Sequence, residues 1–157
     1  MTGPVEIRSA ADDPASLEAA RALVREHVLA HSTAHGPDAA ERLAAALPAP
    51  FAPRGGLWVA WAGGEALGCV ALQPLADGAA ELKRMFVLAA ARGREAARAL
   101  QAHAIAEALA RGHAVLRLGT LTTMHAAQRL YEGAGFRRVP AYRPTEFGDT
   151  WFYERAL

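Results

Sequence analysis

The chain has 157 residues, a formal net charge of +1, 52% hydrophobic residues and 21% charged residues. That length can bury a real core in one domain over 1–157, and the composition excludes a disordered chain. The near-zero charge leaves no electrostatic footprint for nucleic acid, no apolar run approaches the roughly 18 residues of a membrane span, and Cys69 is the one cysteine, so no intrachain disulfide can form. With no apolar centre of a signal peptide in MTGPVEIRSAADD, a reducing, cytoplasmic location is expected.

In chain order, 5–8 is a short strand candidate. Asp13-Pro14 supplies a cap residue and a proline at the first helical position. A helix follows over about 14–31, with Leu17, Leu23, Val24, Val28 and Leu29 as its apolar stripe. Loop signals fill 32–37. Asp38 with Glu41 three residues later opens a short second helix that ends near Leu47. Pro48, Pro50, Pro53 and Gly55-Gly56 mark a long connection. Strands over 57–62 and 65–74 flank Gly63-Gly64, a hairpin signal, and Asp77-Gly78 is a second one.

The segment 81–100, ELKRMFVLAAARGREAARAL, opens with the two-residue alternation of a strand. It turns through small residues at 89–94 and continues as an alanine-rich helix from about Glu95 to Gly112. A strand feeding a tight turn into a helix N-terminus is an anion site, because the first-turn N–H groups lack helical partners and the dipole favours negative charge. Then come a strand over 114–120, parallel to the Glu81 strand by the strand–helix–strand order, and a helix over about 124–133 capped by Thr122 or Thr123. Strands over 136–139 and 151–156 close the sheet.

Arg92-Gly93-Arg94-Glu95-Ala96-Ala97 resembles motif A of the GNAT superfamily, the GCN5-related N-acetyltransferases, which reads R/Q-x-x-G-x-G/A. Arg92 and Ala97 match it; Glu95 stands where the motif has its central glycine. Leu130-Tyr131-Glu132-Gly133-Ala134-Gly135-Phe136 resembles the family's motif B, L-Y-x-x-x-G-F. The two motifs have family-like spacing, and the elements fit the family topology over nearly the whole chain. The resemblance implies an α/β fold: a mixed, mostly antiparallel sheet flanked by helices, with a splayed parallel strand pair admitting acetyl-CoA. The implied activity is acetyl transfer to an amine of a small molecule or peptide, by direct attack in a ternary complex and without a metal. The rival is a non-catalytic acyl-CoA binding or scaffold module, and Glu95 is the residue that favours it. The resemblance leaves a homodimer open.

The same resemblance assigns roles. The backbone N–H groups of Arg92, Gly93, Arg94, Glu95, Ala96 and Ala97 would cradle the pyrophosphate, and the main chain of Phe86 and Val87 would bond the pantetheine arm and polarise the thioester carbonyl. Tyr131 would stand near the coenzyme A sulfur, where a phenol can protonate or hydrogen-bond a departing thiolate; otherwise it is an amphipathic core tyrosine. Glu81 matches a glutamate that activates the amine through water; otherwise it is a solvent-facing strand residue paired with Lys83 or an arginine.

His27, His31 and His35 recur every four residues, but the loop signals at 32–37 break that register. The resemblance implies that His31 and His35, in the connection between the first two helices, border the acceptor pocket; His103, His113 and His125 are expected to lie at the surface. Cys69 reads as a buried strand cysteine. The C-terminal region with Tyr142, Arg143, Trp151 and Tyr153 is expected on the acceptor side, without a choice among these side chains.

Overall fold

The computed structural model describes residues 3–31, 38–47, 55–91, 95–145 and 149–157. Its strands are β1 (Glu6–Ser9), β2 (Gly56–Ala62), β3 (Glu65–Pro74), β4 (Ala80–Val87), β5 (Val115–Leu121), β6 (Arg137–Val139) and β7 (Thr150–Ala156). They form a seven-stranded sheet in the order β1-β2-β3-β4-β5-β7-β6. Every neighbouring pair is antiparallel except β4 and β5, which run parallel. The helices are α1 (Pro14–His31), α2 (Asp38–Ala45), α3 (Ala96–Ala110) and α4 (His125–Gly133). This is the mixed α/β architecture expected.

Local chemistry explains most element ends. Asp13 opens α1: its Oδ1 accepts the Ala15 N–H at 3.3 Å and its Oδ2 accepts the Ser16 hydroxyl at 2.6 Å. Gly63 and Gly64 have φ of 57° and 80°, the left-handed pair a two-residue hairpin needs. The Asp77 carboxylate accepts the Ala79 N–H at 3.1 Å in the next turn. At α4 the expected cap differs. Met124 occupies the N-cap position without a side-chain cap bond, and Gln128 donates instead to the carbonyls of Leu121 and Thr122 at 3.1 and 3.0 Å.

The sheet has a packed layer on each face. On one side α3 lays Ala96, Leu100, Ala104 and Ala108 against Leu72, Leu82 and Leu116. That four-residue spacing makes one helix face, and its alanines let the helix approach the strands closely. On the other side α1 and α2 bury Ala20, Val24, Val28 and Ala40 with Leu57, Val59 and Ala71. The expected surface position fails for His113, which is buried because its Nδ1–H reaches the Gly78 carbonyl at 3.1 Å.

Candidate active site

The site begins where the parallel pair separates. β4 and β5 are in register only at Ala80–Leu116, Glu81–Arg117 and Leu82–Leu118. Beyond Leu82, β4 runs on to Val87 and β5 to Leu121 without pairing. The gap between them is a cavity of about 120 Å³, walled by Leu82, Lys83, Arg84, Met85 and Phe86 of β4 and by Gly119, Thr120 and Leu121 of β5. It passes through the sheet: Phe86 packs in the α1–α2 layer, Met85 in the α3–α4 layer, and the cavity touches both.

A bulge in β4 creates the separation. The β3–β4 register shifts between Cys69–Phe86 and Ala71–Lys83. Arg84 takes a left-handed φ of 51°, costly for a residue with a side chain. The buried Cys69 thiol donates to the Arg84 carbonyl at 3.3 Å and so holds the bulge. Burial pushes that thiol up to about 12, so it is no nucleophile, in line with the expectation for it.

A second cavity of about 420 Å³ adjoins the first on the α3–α4 side, lined by Val87, Ala91, Glu95, Ala96, Ala97 and residues of α4. The α3 N-terminus opens into it. Of the expected pyrophosphate cradle, Glu95, Ala96 and Ala97 line this cleft, whereas Arg92, Gly93 and Arg94 lie outside the described residues. The helix starts at Ala96, not at Glu95. Glu95 is its N-cap residue with φ of 65°, which gives the motif's glycine a backbone reason. The Glu95 side chain is 70% exposed, and its carboxylate lies 4.0 Å from Arg98.

Tyr131 joins the two cavities and lines both, together with His27, Met85, Met124 and Ala127. It is 4% exposed, and desolvation pushes its phenol well above its usual range, so it stays a neutral donor. Its ring packs edge-on against Phe136 and near Tyr153, as a core tyrosine does, while the residue also lines both cavities. Phe86 stacks on His27 with centroids 3.6 Å apart.

Glu81 is paired with Lys83 and an arginine, as one reading of it expects, but it is buried. It is 1% exposed rather than solvent-facing, and it stands behind the cavity wall. Its Oε2 accepts the Tyr142 hydroxyl at 2.5 Å and the Arg143 Nε–H at 2.7 Å, and its Oε1 lies 3.7 Å from the Lys83 ammonium. A general base must reach the proton it takes. Glu81 is not among the residues that line the cavity, so as a base it would act through water or through one of its partners. Burial and the hydrogen bond to Glu81 push the Tyr142 phenol far above its usual range. Arg117, bonded to Asp77 and Glu154, lies 5.5 Å from the Tyr142 ring.

The sequence made no choice among the side chains of the C-terminal region; of these Arg143 lines the cavity, and Lys83 and Arg84 of β4, which the sequence did not single out as site residues, line it too. Trp151, by contrast, is 38% exposed with the Arg138 guanidinium 3.7 Å from its ring centroid, and Tyr153 is buried in the core. His35 and the side chain of His31 lie outside the described residues.

Comparison with known proteins agrees with this geometry. The model of the acetyltransferase (GNAT) domain matches residues 53–138, more than half of the chain. An uncharacterised N-acetyltransferase of Bacillus subtilis, YsnE, is 32% identical over 73% of this chain and 76% of its own length. A zebrafish N-acetylaspartate synthetase is 41% identical over 52% of this chain, which there spans only 29% of the relative. The structure of yncA from Salmonella typhimurium, which holds its cofactor acetyl-CoA, has the same fold, with a TM-score of 0.76 over 99% of this chain and 95% of its own at 21% identity. The family-model match over residues 53–138, which contain both motifs, and the likeness to YsnE assign this chain to the GNAT family of acetyltransferases.

Proposed function

We propose that the chain transfers an acetyl group from acetyl-CoA to the amine of a small molecule or peptide. The observation that carries this reading is the gap between β4 and β5, which opens into a cleft at a helix N-terminus with a neutral tyrosine at the junction. The residues suit the co-substrate. The N–H groups at the start of α3 offer a site for pyrophosphate. Beyond Leu82, the β4 edge no longer pairs with β5; Phe86 directs its main chain to β3, and the main-chain groups of Val87 are the ones left to bond an amide-bearing arm and polarise a thioester carbonyl.

Acetyl-CoA supplies an activated acyl group. The acceptor nitrogen attacks its carbonyl, the C–N bond forms, the C–S bond breaks, and the proton lost from nitrogen ends on sulfur. Tyr131 is suited to donate to the leaving thiolate, since its environment keeps the phenol protonated. The one cysteine is buried and protonated, which favours direct attack over an acyl-enzyme. Glu81 holds Arg143 and Tyr142 at the acceptor side. Among the described residues, no helix is long and apolar enough to cross a membrane, and with one thiol a reducing cytoplasm is the compartment we favour.

The non-catalytic reading rested on Glu95. A carboxylate 70% exposed beside Arg98 is poorly placed to block the cleft, so we favour turnover. The test combines calorimetry of acetyl-CoA binding with an assay of free coenzyme A over a panel of amines. Saturable binding with amine-dependent thiol release supports transfer. Binding without release on any amine returns the reading to a binding module.

A further inference from the structure

The cavity between β4 and β5 has an asymmetric wall. On its α1 side Lys83, Arg84 and Arg143 line it, together with Thr150. Arg143 is the most constrained of them. Its Nε–H donates to the buried Glu81 carboxylate at 2.7 Å, and its Nη1 donates to the Pro144 carbonyl at 2.9 Å. Its guanidinium carbon lies 5.3 Å from the Phe152 ring and 5.8 Å from the Tyr142 ring. Room for it comes from Gly119, where a Cβ would sit 3.0 Å from Nη2. A fully buried carboxylate, a tyrosine hydroxyl and a side-chain-free strand position thus fix one guanidinium at a cavity wall. Fixing the plane of a guanidinium is what recognition of a planar anion demands, because two parallel N–H groups must meet two oxygens.

We infer that the acceptor is an amine that carries a carboxylate, an amino acid or an acidic relative of one, with Arg143 contacting the carboxylate and Glu81 acting as its positioning residue. The inference rests on the acetyl-transfer reading, in which the thioester comes from the α3–α4 side and the acceptor from the α1 side. The carboxylate then lies against Arg143, with the Lys83 ammonium close by, and the amine points through the sheet toward the junction at Tyr131. Charge-assisted bonds of this kind are worth enough to separate an acid from its uncharged amide by about 10- to 100-fold.

The experiment compares each of the common L-amino acids with its own primary amide in wild type, Arg143→Lys and Arg143→Ala, reading kcat/KM from free coenzyme A release. The preferred acid should exceed its amide by about 10- to 100-fold in wild type. That ratio should shrink in Arg143→Lys and vanish in Arg143→Ala, mainly through KM. Because the ratio is taken within one protein, a lowered folded fraction does not move it, and Arg143→Lys serves if the alanine variant fails to fold. Glu81→Gln should reduce the ratio as well without moving the acidic limb of the kcat/KM profile, which separates positioning from base catalysis. Amides used as well as acids in wild type, or a ratio unchanged in both Arg143 variants, overturns the inference. Turnover of plain amines but of no amino acid overturns it and leaves acetyl transfer standing, whereas acetyl-CoA binding with no thiol release on any amine removes both.

Discussion

Tyr131 lines both cavities, and in the proposed transfer its hydroxyl would meet the sulfur of the thioester. Charge develops on sulfur only as the thioester breaks, so the bond it makes belongs to the transition state. Tyr131→Phe is therefore expected to lower kcat by about 10²–10⁴-fold, the range of general acid catalysis, with little change in acetyl-CoA affinity. Single-turnover rates and calorimetry check the two halves separately. Glu95 gives a prediction of the opposite sign. A side chain at φ of 65° costs the native state about 1 kcal/mol, which glycine does not incur. Glu95→Gly should raise the urea midpoint, and Glu95→Ala, which keeps a Cβ, should not. The glycine variant should also bind acetyl-CoA more tightly, with an advantage that shrinks in high salt if repulsion is the cause. As the N-cap residue, Glu95 lies outside the helix interior, so glycine there carries no helix-propensity cost. Motif A signalled the glycine but not its left-handed backbone, because φ at one residue leaves no trace in residue type when the favoured type is replaced.

Among the elements, β4 does most to shape the site, and its neighbour β3 keeps it in place at one position. A Cβ on Gly68 would lie 2.5 Å from the Phe86 carbonyl oxygen and 3.1 Å from the Val87 Cα. Both are main-chain atoms, so the strand itself would have to move. Gly68→Ala is expected to cost about 1–3 kcal/mol, as overpacking does, and to weaken acetyl-CoA binding by displacing the Val87 main chain. Thermal denaturation and calorimetry test this pair of effects; a destabilised protein of unchanged affinity would take that main chain out of the binding site. The strand itself was legible from its alternation, and so were its hairpin partner through Gly63-Gly64 and the Asp13 start of α1. The bulge was not, since Lys83-Arg84-Met85 alternates no less well than a regular strand. Only the paired register with β3 shows that two residues of β4 face one of its neighbour.

At the scale of the whole molecule, the parallel pair and the two layers followed from element order and the two motifs. The meeting of Glu81 with Arg143 did not. Sixty-two positions separate them, and their contact depends on where the residues that follow β6 lie against β4, which local pattern does not encode. The fold brings a helix N-terminus, an unpaired strand edge and a buried cation anchor to opposite sides of one opening. On the proposed reading two substrates occupy it at once, and the one cysteine is buried. This arrangement predicts transfer in a ternary complex. The most direct measurement is the initial rate of free coenzyme A release as acetyl-CoA and the preferred amine are varied together. Double-reciprocal lines that intersect are the expected result. Parallel lines, with a burst of thiol release before any amine is added, would reveal an acyl-enzyme and contradict direct transfer through the opening between β4 and β5.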